Sequence, residues 1–251
     1  MSIITNQQYM KKSLIILFLS LGVISCASVE FGDALSSEQY TQKILDLGLS
    51  HEENLIEASK LKTPHLVSVV SLQLTNARDE KIQNEIDLIE SEKFADQVLI
   101  SNNGSRYSGS KISESIKTGV LTTDFDLLNY FLEGTKDSKN IEHKLHLTVS
   151  HNSKSKREYF SAHICNQWGR CEAIRDDGSS NILELIPIST NASNCDTFNC
   201  DYSEIMEIKL SDTFLSDSVD KGISIKLVSK MKSHKIKVSK PYLMGYLKVA
   251  K

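Results

Sequence analysis

Cysteine is the residue type whose spacing says most about the chemistry of this chain. The chain of 251 residues contains five cysteines, and four of them lie in its second half. These four form two close pairs, Cys165 with Cys171 and Cys195 with Cys200. Such a set can form disulfides, in several pairings, or hold a zinc ion between four thiolates. The C-x5-C and C-x4-C spacings are wider than is usual for zinc ligands, so disulfides are favoured.

The fifth cysteine, Cys26, closes a segment that has the parts of an export signal. Lys11 and Lys12 give this segment a positive start, and residues 14–21 (LIILFLSL) form an apolar stretch. The apolar run over residues 14–24 is too short to cross a bilayer as a helix. The segment ends in the sequence VISC, in which small and aliphatic residues precede the cysteine.

The VISC sequence resembles the lipobox of bacterial lipoproteins. The resemblance implies that residues 1–25 are a signal peptide removed during export, and that Cys26 then carries lipid. Two or three acyl chains would hold the protein stably at a membrane, with residues 26–35 as a tether. In Gram-negative lipoproteins the residue after the cysteine directs sorting. Ala27 at that position implies the outer membrane. We expect the protein on the side of that membrane that faces the periplasm.

Export changes the interpretation of the remaining cysteines, because exported proteins meet an oxidising compartment. We expect local disulfides, Cys165–Cys171 and Cys195–Cys200, each closing a short loop in a hairpin-like segment. A loop this small is stabilised by about 2 kcal/mol in chain-entropy models.

Each of these two loops contains an aromatic residue that could recognise a partner. The Trp168 loop (residues 165–171) holds the only tryptophan of the chain next to Arg170, and the Phe198 loop (residues 195–200) holds Phe198. Rigid aromatic and arginine side chains supply much of the energy of protein interfaces. The alternative, favoured on the sequence alone, is a stapled hairpin whose tryptophan folds back onto a sheet.

Histidines form the nearest approach to a metal-binding cluster. His143, His146, His151 and His163 lie within a short stretch of the chain. On a strand, His143 and His151 share one face and His146 lies on the other, so the three should not converge. We therefore predict surface and strand-edge histidines, with no metal ligands and no cofactor.

Catalytic motifs are weak. Residues 108–111 match S-x-x-K and residues 117–119 match K-T-G, two elements of penicillin-binding proteins and β-lactamases. They lie far too close together for that family, and no S-D-N element separates them. No catalytic residue is predicted, and the chain is expected not to be an enzyme.

Charge argues against nucleic acid as a partner. Without residues 1–25 the chain would keep 226 residues (251 − 25) and a net charge of −5 (27 − 32). Such a mildly acidic chain lacks the basic footprint of a nucleic-acid-binding protein. The lysines of residues 226–240 alternate with apolar residues, as they do on the solvent face of a strand.

Helix signals dominate the chain up to about residue 138. Capping boxes at residues 36–39 and 50–53 open two helices, the second of which should stop before Pro64. Residues 65–75 are rich in β-branched residues and partly alternate, which predicts a strand. Helical spacing predicts further helices over residues 82–92, 112–118 and 123–134.

Strand signals dominate from residue 139 onward. Six or seven short alternating segments predict an antiparallel sandwich. Ser239 and Pro241 then open a terminal helix, whose apolar face includes Tyr242 and Tyr246. The predicted fold class is α+β, with a helix-rich region at 36–138 and a β-sandwich-like domain with a terminal helix at 139–251.

The C-terminal half also resembles uncharacterised proteobacterial envelope lipoproteins. Cys195, Cys200 and residues 241–247 carry this resemblance, which implies no known activity. We expect a lipid-anchored envelope protein, a non-enzymatic module that binds or helps to assemble an envelope protein or polymer. The alternatives are a lipid-anchored hydrolase acting on an envelope polymer, and a small-ligand or metal sensor.

Overall fold

The computed structural model describes residues 35–117, 125–137, 140–166, 168–172 and 180–251. The predicted signal peptide, the lipidated Cys26 and all but the last residue of the tether lie outside the described residues. They therefore remain predictions. In the part that is described, no helix is both long enough and apolar enough to span a membrane.

The described chain forms two compact units, which divide between Asn76 and Ala77. The first unit contains α1 (Ser37–Leu45), α2 (His51–Ser59) and the start of α3 (Pro64–Asp96). Both predicted capping boxes are confirmed. In the first box the Ser36 hydroxyl accepts from the Gln39 amide, while the Gln39 side chain accepts from the Ser36 amide. Ile44, Ala58, Val70 and Leu74 are the buried residues of this unit's small core.

The predicted strand over residues 65–75 is wrong, because these residues belong to α3. Thr63 opens this helix by accepting a hydrogen bond from the Leu66 amide (3.2 Å), and Pro64 takes the first helical position. Val70 and Leu74 are both buried and stand one helical turn apart. The apolar face therefore repeats with the period of a helix, despite the β-branched residues.

In its described residues the second unit contains the rest of α3, eleven strands, a 3-10 turn (Asn102–Gly104) and two further α-helices. The strands are β1 (Leu99–Ser101), β2 (Arg106–Ser108), β3 (Ile112–Lys117), β4 (Phe125–Asp137), β5 (Asn140–Ser153), β6 (Tyr159–Ile164), β7 (Ile182–Leu183), β8 (Leu185–Ser193), β9 (Cys200–Leu210), β10 (Ile223–Ser229) and β11 (His234–Val238). The helices are α4 (Asp212–Ser218) and α5 (Lys240–Val249).

The strands form two antiparallel sheets. The larger sheet has the order β1-β2-β4-β5-β9-β8, with β3 also paired to β4, and the smaller has the order β11-β10-β6-β7. Both sheets contribute buried residues to one core, together with α4 and α5. The predicted fold class is confirmed: helices come first, then antiparallel sheets and a terminal helix.

The helices predicted over residues 112–118 and 123–134 are wrong. Residues 112–117 are β3, and the described part of 123–134 belongs to β4. Leu128, Tyr130 and Leu132 are all buried, which is the alternation of a strand with one face on the core. Strands β4 and β5 pair directly across the predicted boundary at residue 138, whereas the compact units divide near residue 76.

The terminal helix α5 docks through two buried tyrosines, as its sequence predicts. Tyr242 Oη accepts from the Leu132 amide (3.0 Å) and donates to the Ser110 carbonyl (3.0 Å). Tyr246 Oη lies 2.9 Å from His143 Nδ1. A Cβ atom built on Gly134 would lie 2.6 Å from Tyr246 Oη, so the close approach of α5 requires glycine there.

Candidate functional site

All four cysteines of the second half are paired as the sequence predicts. The Cys165 and Cys171 sulfurs lie 1.96 Å apart, and those of Cys195 and Cys200 lie 2.07 Å apart. The first disulfide closes a loop that leaves β6, and the second closes the turn between β8 and β9.

The Trp168 loop is held by its own hydrogen bonds. The side-chain oxygen of Asn166 accepts from the amides of Trp168 and Arg170, both at 3.0 Å. The Asn166 amide donates to the Arg170 carbonyl at 2.8 Å. Trp168 is 79% exposed, so the expectation that it folds back onto a sheet is wrong. The loop therefore presents the only tryptophan of the chain to solvent.

The Phe198 loop is built in a similar way. Asp196 Oδ1 accepts from the amides of Phe198 (2.6 Å) and Asn199 (2.7 Å). These hydrogen bonds, first the one from the Asn199 amide and then the one from the Phe198 amide, lower the pKa of Asp196. Phe198 is 70% exposed. Both loops thus carry an exposed aromatic side chain on a disulfide-closed turn.

The two loops lie at opposite ends of the second unit's strands. Cys200 pairs with Ser153 at the end of β5, next to the turn that leads to Tyr159 at the start of β6. Cys165 follows Ile164, at the far end of β6. The length of β6 separates the loops, so they do not form one shared binding edge.

The four histidines considered as metal ligands do not converge on one point. His143 and His151 are buried on one face of β5, so the prediction of surface histidines is wrong for these two. His146 stacks on Phe131 on the opposite face, with ring centroids 4.6 Å apart. His163 bonds to the hydroxyl of Ser161 (2.7 Å). Among the described residues, no group of three or more His, Cys, Asp or Glu side chains is placed to hold a metal ion.

A buried polar network joins the two sheets. No motif or spacing in the sequence predicts it. The guanidinium of Arg157 forms two hydrogen bonds with the Asp126 carboxylate, at 2.7 and 2.8 Å. His234 Nε2 lies 2.8 Å from the same carboxylate, and His234 Nδ1 lies 2.7 Å from Tyr159 Oη. Asp126 lies on β4 and His234 on β11. Arg157 lies in the turn before β6, and Tyr159 is the first residue of β6.

The charge states in this network follow from burial and hydrogen bonding. Burial alone would raise the pKa of Asp126, but the hydrogen bonds from Arg157 and His234 outweigh it and lower that pKa. Burial lowers the pKa of His234, which favours its neutral form. A neutral imidazole that donates from Nε2 to Asp126 accepts at Nδ1 from Tyr159 Oη.

Glu204 on β9 extends the network to the other side of the turn. Its carboxylate accepts from His151 Nε2 (2.9 Å) and from the amides of Arg157 (2.7 Å) and Glu158 (3.0 Å). Burial would raise the pKa of Glu204, but these three hydrogen bonds lower it. Glu158 has a left-handed backbone (φ 56°), which brings the two successive amides onto one carboxylate.

A small cavity of about 210 Å³ opens beside this turn, lined in part by Glu158, Tyr159 and Glu204. Glu158 is itself bonded to Lys230 and to Lys156 (2.9 Å). Hydrogen bonds from Lys230 and Lys156 lower the pKa of Glu158 to about 2. A glycosidase-type general acid needs a carboxyl group with a raised pKa. Both carboxylates here are held ionised, so the arrangement favours a structural role.

No family model matches this chain, and comparison with curated proteins and with solved structures finds no match either.

Proposed function

We propose that this chain is an exported, lipid-anchored envelope protein that works as a binding or assembly module. The observation that carries the proposal is the exposed Trp168 on a disulfide-closed loop with a fixed backbone. A solvent-exposed tryptophan on a loop held by its own hydrogen bonds is a typical anchor of an interface. Arg170 in the same loop adds a second residue type that is common in interfaces.

Lipid anchoring through Cys26 rests on the lipobox resemblance and gains support from the other cysteines. All four cysteines after Cys26 are paired in the structure. Paired cysteines of this kind are typical of exported chains and rare in reducing compartments. The proposed location is the outer membrane, which Ala27 favours, on the side that faces the periplasm.

The alternative functions have less support. A hydrolase would need two facing carboxylates of unlike protonation, whereas Glu158 and Glu204 are both held ionised. A metal sensor would need converging ligands. His143 instead bonds to Tyr246, and His151 bonds to Glu204.

The proposal is tested in cells that export the full-length protein. Cys26→Ser should move it from the membrane fraction to the soluble fraction of the envelope, since the acyl chains supply the anchor. A photocrosslinker at position 168 should give a crosslinked product in the envelope, and one at Phe198 should not. Phe198 is the matched control because it is an exposed aromatic on a similar loop at the other end of the strands. Unchanged partitioning of Cys26→Ser, or equal crosslinking at both positions, would contradict the proposal.

A further inference from the structure

The outer face of the smaller sheet carries a row of basic side chains. Lys226 on β10 stands directly opposite Lys235 on β11 and opposite His163 on β6. Lys237, also on β11, is exposed one row further along. None of the residues of β6, β7, β10 and β11 is an aspartate or a glutamate. The strands of this sheet therefore carry basic and no acidic side chains, although the whole chain has a net charge of −3.

The positive charges of this row do not stabilise the pairing of its strands. Like charges directly opposite each other on neighbouring strands repel and destabilise a sheet. Within the described part of the chain, Lys226 and Lys237 form no ion pair that would offset the repulsion. Among the described residues, the Lys235 ammonium donates to a backbone carbonyl, that of Gly169, and forms no ion pair. An anionic partner on this face would relieve the repulsion.

The Trp168 loop lies against the same face. Lys235 Nζ donates to the Gly169 carbonyl at 2.8 Å, and His163 Nδ1 lies 3.4 Å from the Cys171 carbonyl. Two residues of the basic row thus hold the part of the loop that follows Trp168. The exposed Trp168 stands beside the lysines, so that one surface combines an aromatic anchor with positive charge.

We propose that this surface, the outer face of the smaller sheet with the Trp168 loop, binds the phosphate headgroups of an anionic lipid leaflet. The proposal rests on the proposed function, because it names the partner of the Trp168 loop. Tryptophan prefers the headgroup region of membranes, and clustered lysines are attracted to anionic lipid. The face is formed by neighbouring strands of one sheet, which suits a planar array of headgroups.

The only tryptophan of the chain allows a direct test. The full-length protein is titrated with vesicles of phosphatidylcholine, with or without phosphatidylglycerol, while tryptophan emission is recorded. We expect a blue shift and quenching by brominated lipid with the anionic vesicles alone, and we expect both effects to weaken as salt is added. Because the emission comes from Trp168, binding through the N-terminal apolar segment does not give this signal by itself.

A variant series shows which charges are responsible. Changing Lys226, Lys235 and Lys237 to glutamine should lower the vesicle partition coefficient reported by Trp168 about 100-fold, or roughly fivefold for each lysine. The control changes Lys62, Lys81 and Lys93 to glutamine; these lysines are exposed on or near the helices, and their loss should change the coefficient less than about twofold. The single variant Lys226→Gln, which loses no hydrogen bond of the described structure, should give the fivefold effect alone.

Three results would overturn the lipid proposal. They are an emission spectrum that anionic vesicles leave unchanged, an equal loss in the control series, and a blue shift caused by soluble polyphosphate but not by vesicles. The envelope proposal fails separately. It fails if Cys26→Ser leaves partitioning into the membrane fraction unchanged, whatever the vesicles show. It holds without any change of tryptophan emission on vesicles if a crosslinker at position 168 captures an envelope protein.

Discussion

At the scale of single residues, the central feature of the second unit is a buried ion pair. The Arg157 and Asp126 side chains are only 8% and 2% exposed, yet both are charged. The two-point contact between them is supplemented by His234, so that the carboxylate is surrounded by donors. Charges buried this deeply persist because they are paired and fully hydrogen-bonded. The pair fixes the turn before β6 to a strand of the other sheet.

Removal of one partner should therefore be costly. We predict that Arg157→Ala lowers the free energy of unfolding by about 3–5 kcal/mol, since Asp126 would remain buried without its partner. The matched control is Arg106→Ala, which breaks a pair with Glu133 (2.6 Å). The Arg106 side chain is 48% exposed, so this loss should cost about 1 kcal/mol or less. Urea titration of both variants measures the difference. Similar losses in the two variants would show that the buried pair does not hold the turn.

At the scale of elements, local signals were predictable and long-range pairing was not. The capping boxes and the opening of α5 were recognised because each lies within a few consecutive residues. The helix predicted over residues 123–134 failed for a specific reason. Leu128 and Leu132 are four residues apart, which places them on one face of a helix and equally on one face of a strand. Only the burial of Tyr130 between them distinguishes the two.

The buried network was missed because its members are scattered along the chain. Asp126 and His234 are separated by 108 positions, and no spacing rule joins them. A weaker signal was present. Asp126, Glu204 and His234 each occupy an inward-facing position of a strand whose other inward-facing residues are mostly apolar. A charged or titratable residue at such a position indicates a buried partner, though not which one.

The docking of α5 depends on a glycine in the sheet. We predict that Gly134→Ala lowers the free energy of unfolding by about 1–3 kcal/mol, because the new Cβ would lie 2.6 Å from Tyr246 Oη. Tyr246→Phe removes that oxygen, so in the Tyr246→Phe background Gly134→Ala should cost less. A double-mutant cycle in urea measures this coupling. Additive losses would mean that the glycine is needed for some reason other than the tyrosine.

At the scale of the whole molecule, charge is distributed unevenly in a way that composition hides. The net charge of −3 predicts no anionic partner, and the lysines of residues 226–240 look in sequence like an ordinary solvent face. Only the register shows that Lys226, Lys235 and His163 form one row across three strands. The same register places the Trp168 loop at this row and the Phe198 loop at the opposite end. The pairing of the strands, which residue spacing along the sequence does not reveal, therefore decides which chemical groups lie side by side.

Several buried titratable groups together make the stability of the molecule depend on pH. Burial lowers the pKa of His143 and His234 in the folded protein, and hydrogen bonds lower the pKa of Asp126 and Glu204 despite their burial. In all four cases the unfolded chain binds protons more readily than the folded one. Each group therefore stabilises the folded protein fully at a pH above its pKa in the unfolded chain. This stabilisation is lost as the pH falls through its pKa in the folded protein.

We accordingly predict that the free energy of unfolding falls in two stages as the protein is acidified. The first stage begins below about pH 6.5, where unfolded histidine gains a proton, and each histidine contributes at most about 1.4 kcal/mol per pH unit. The second begins below about pH 4, where unfolded carboxylates are protonated. Urea titrations between pH 7 and pH 3 measure both stages. His143→Gln should reduce the slope of the first stage and leave the second in place, because Gln carries no titrating group at that buried position. A free energy of unfolding that stays constant or rises between pH 7 and pH 5 would show that His143 and His234 do not favour their neutral forms.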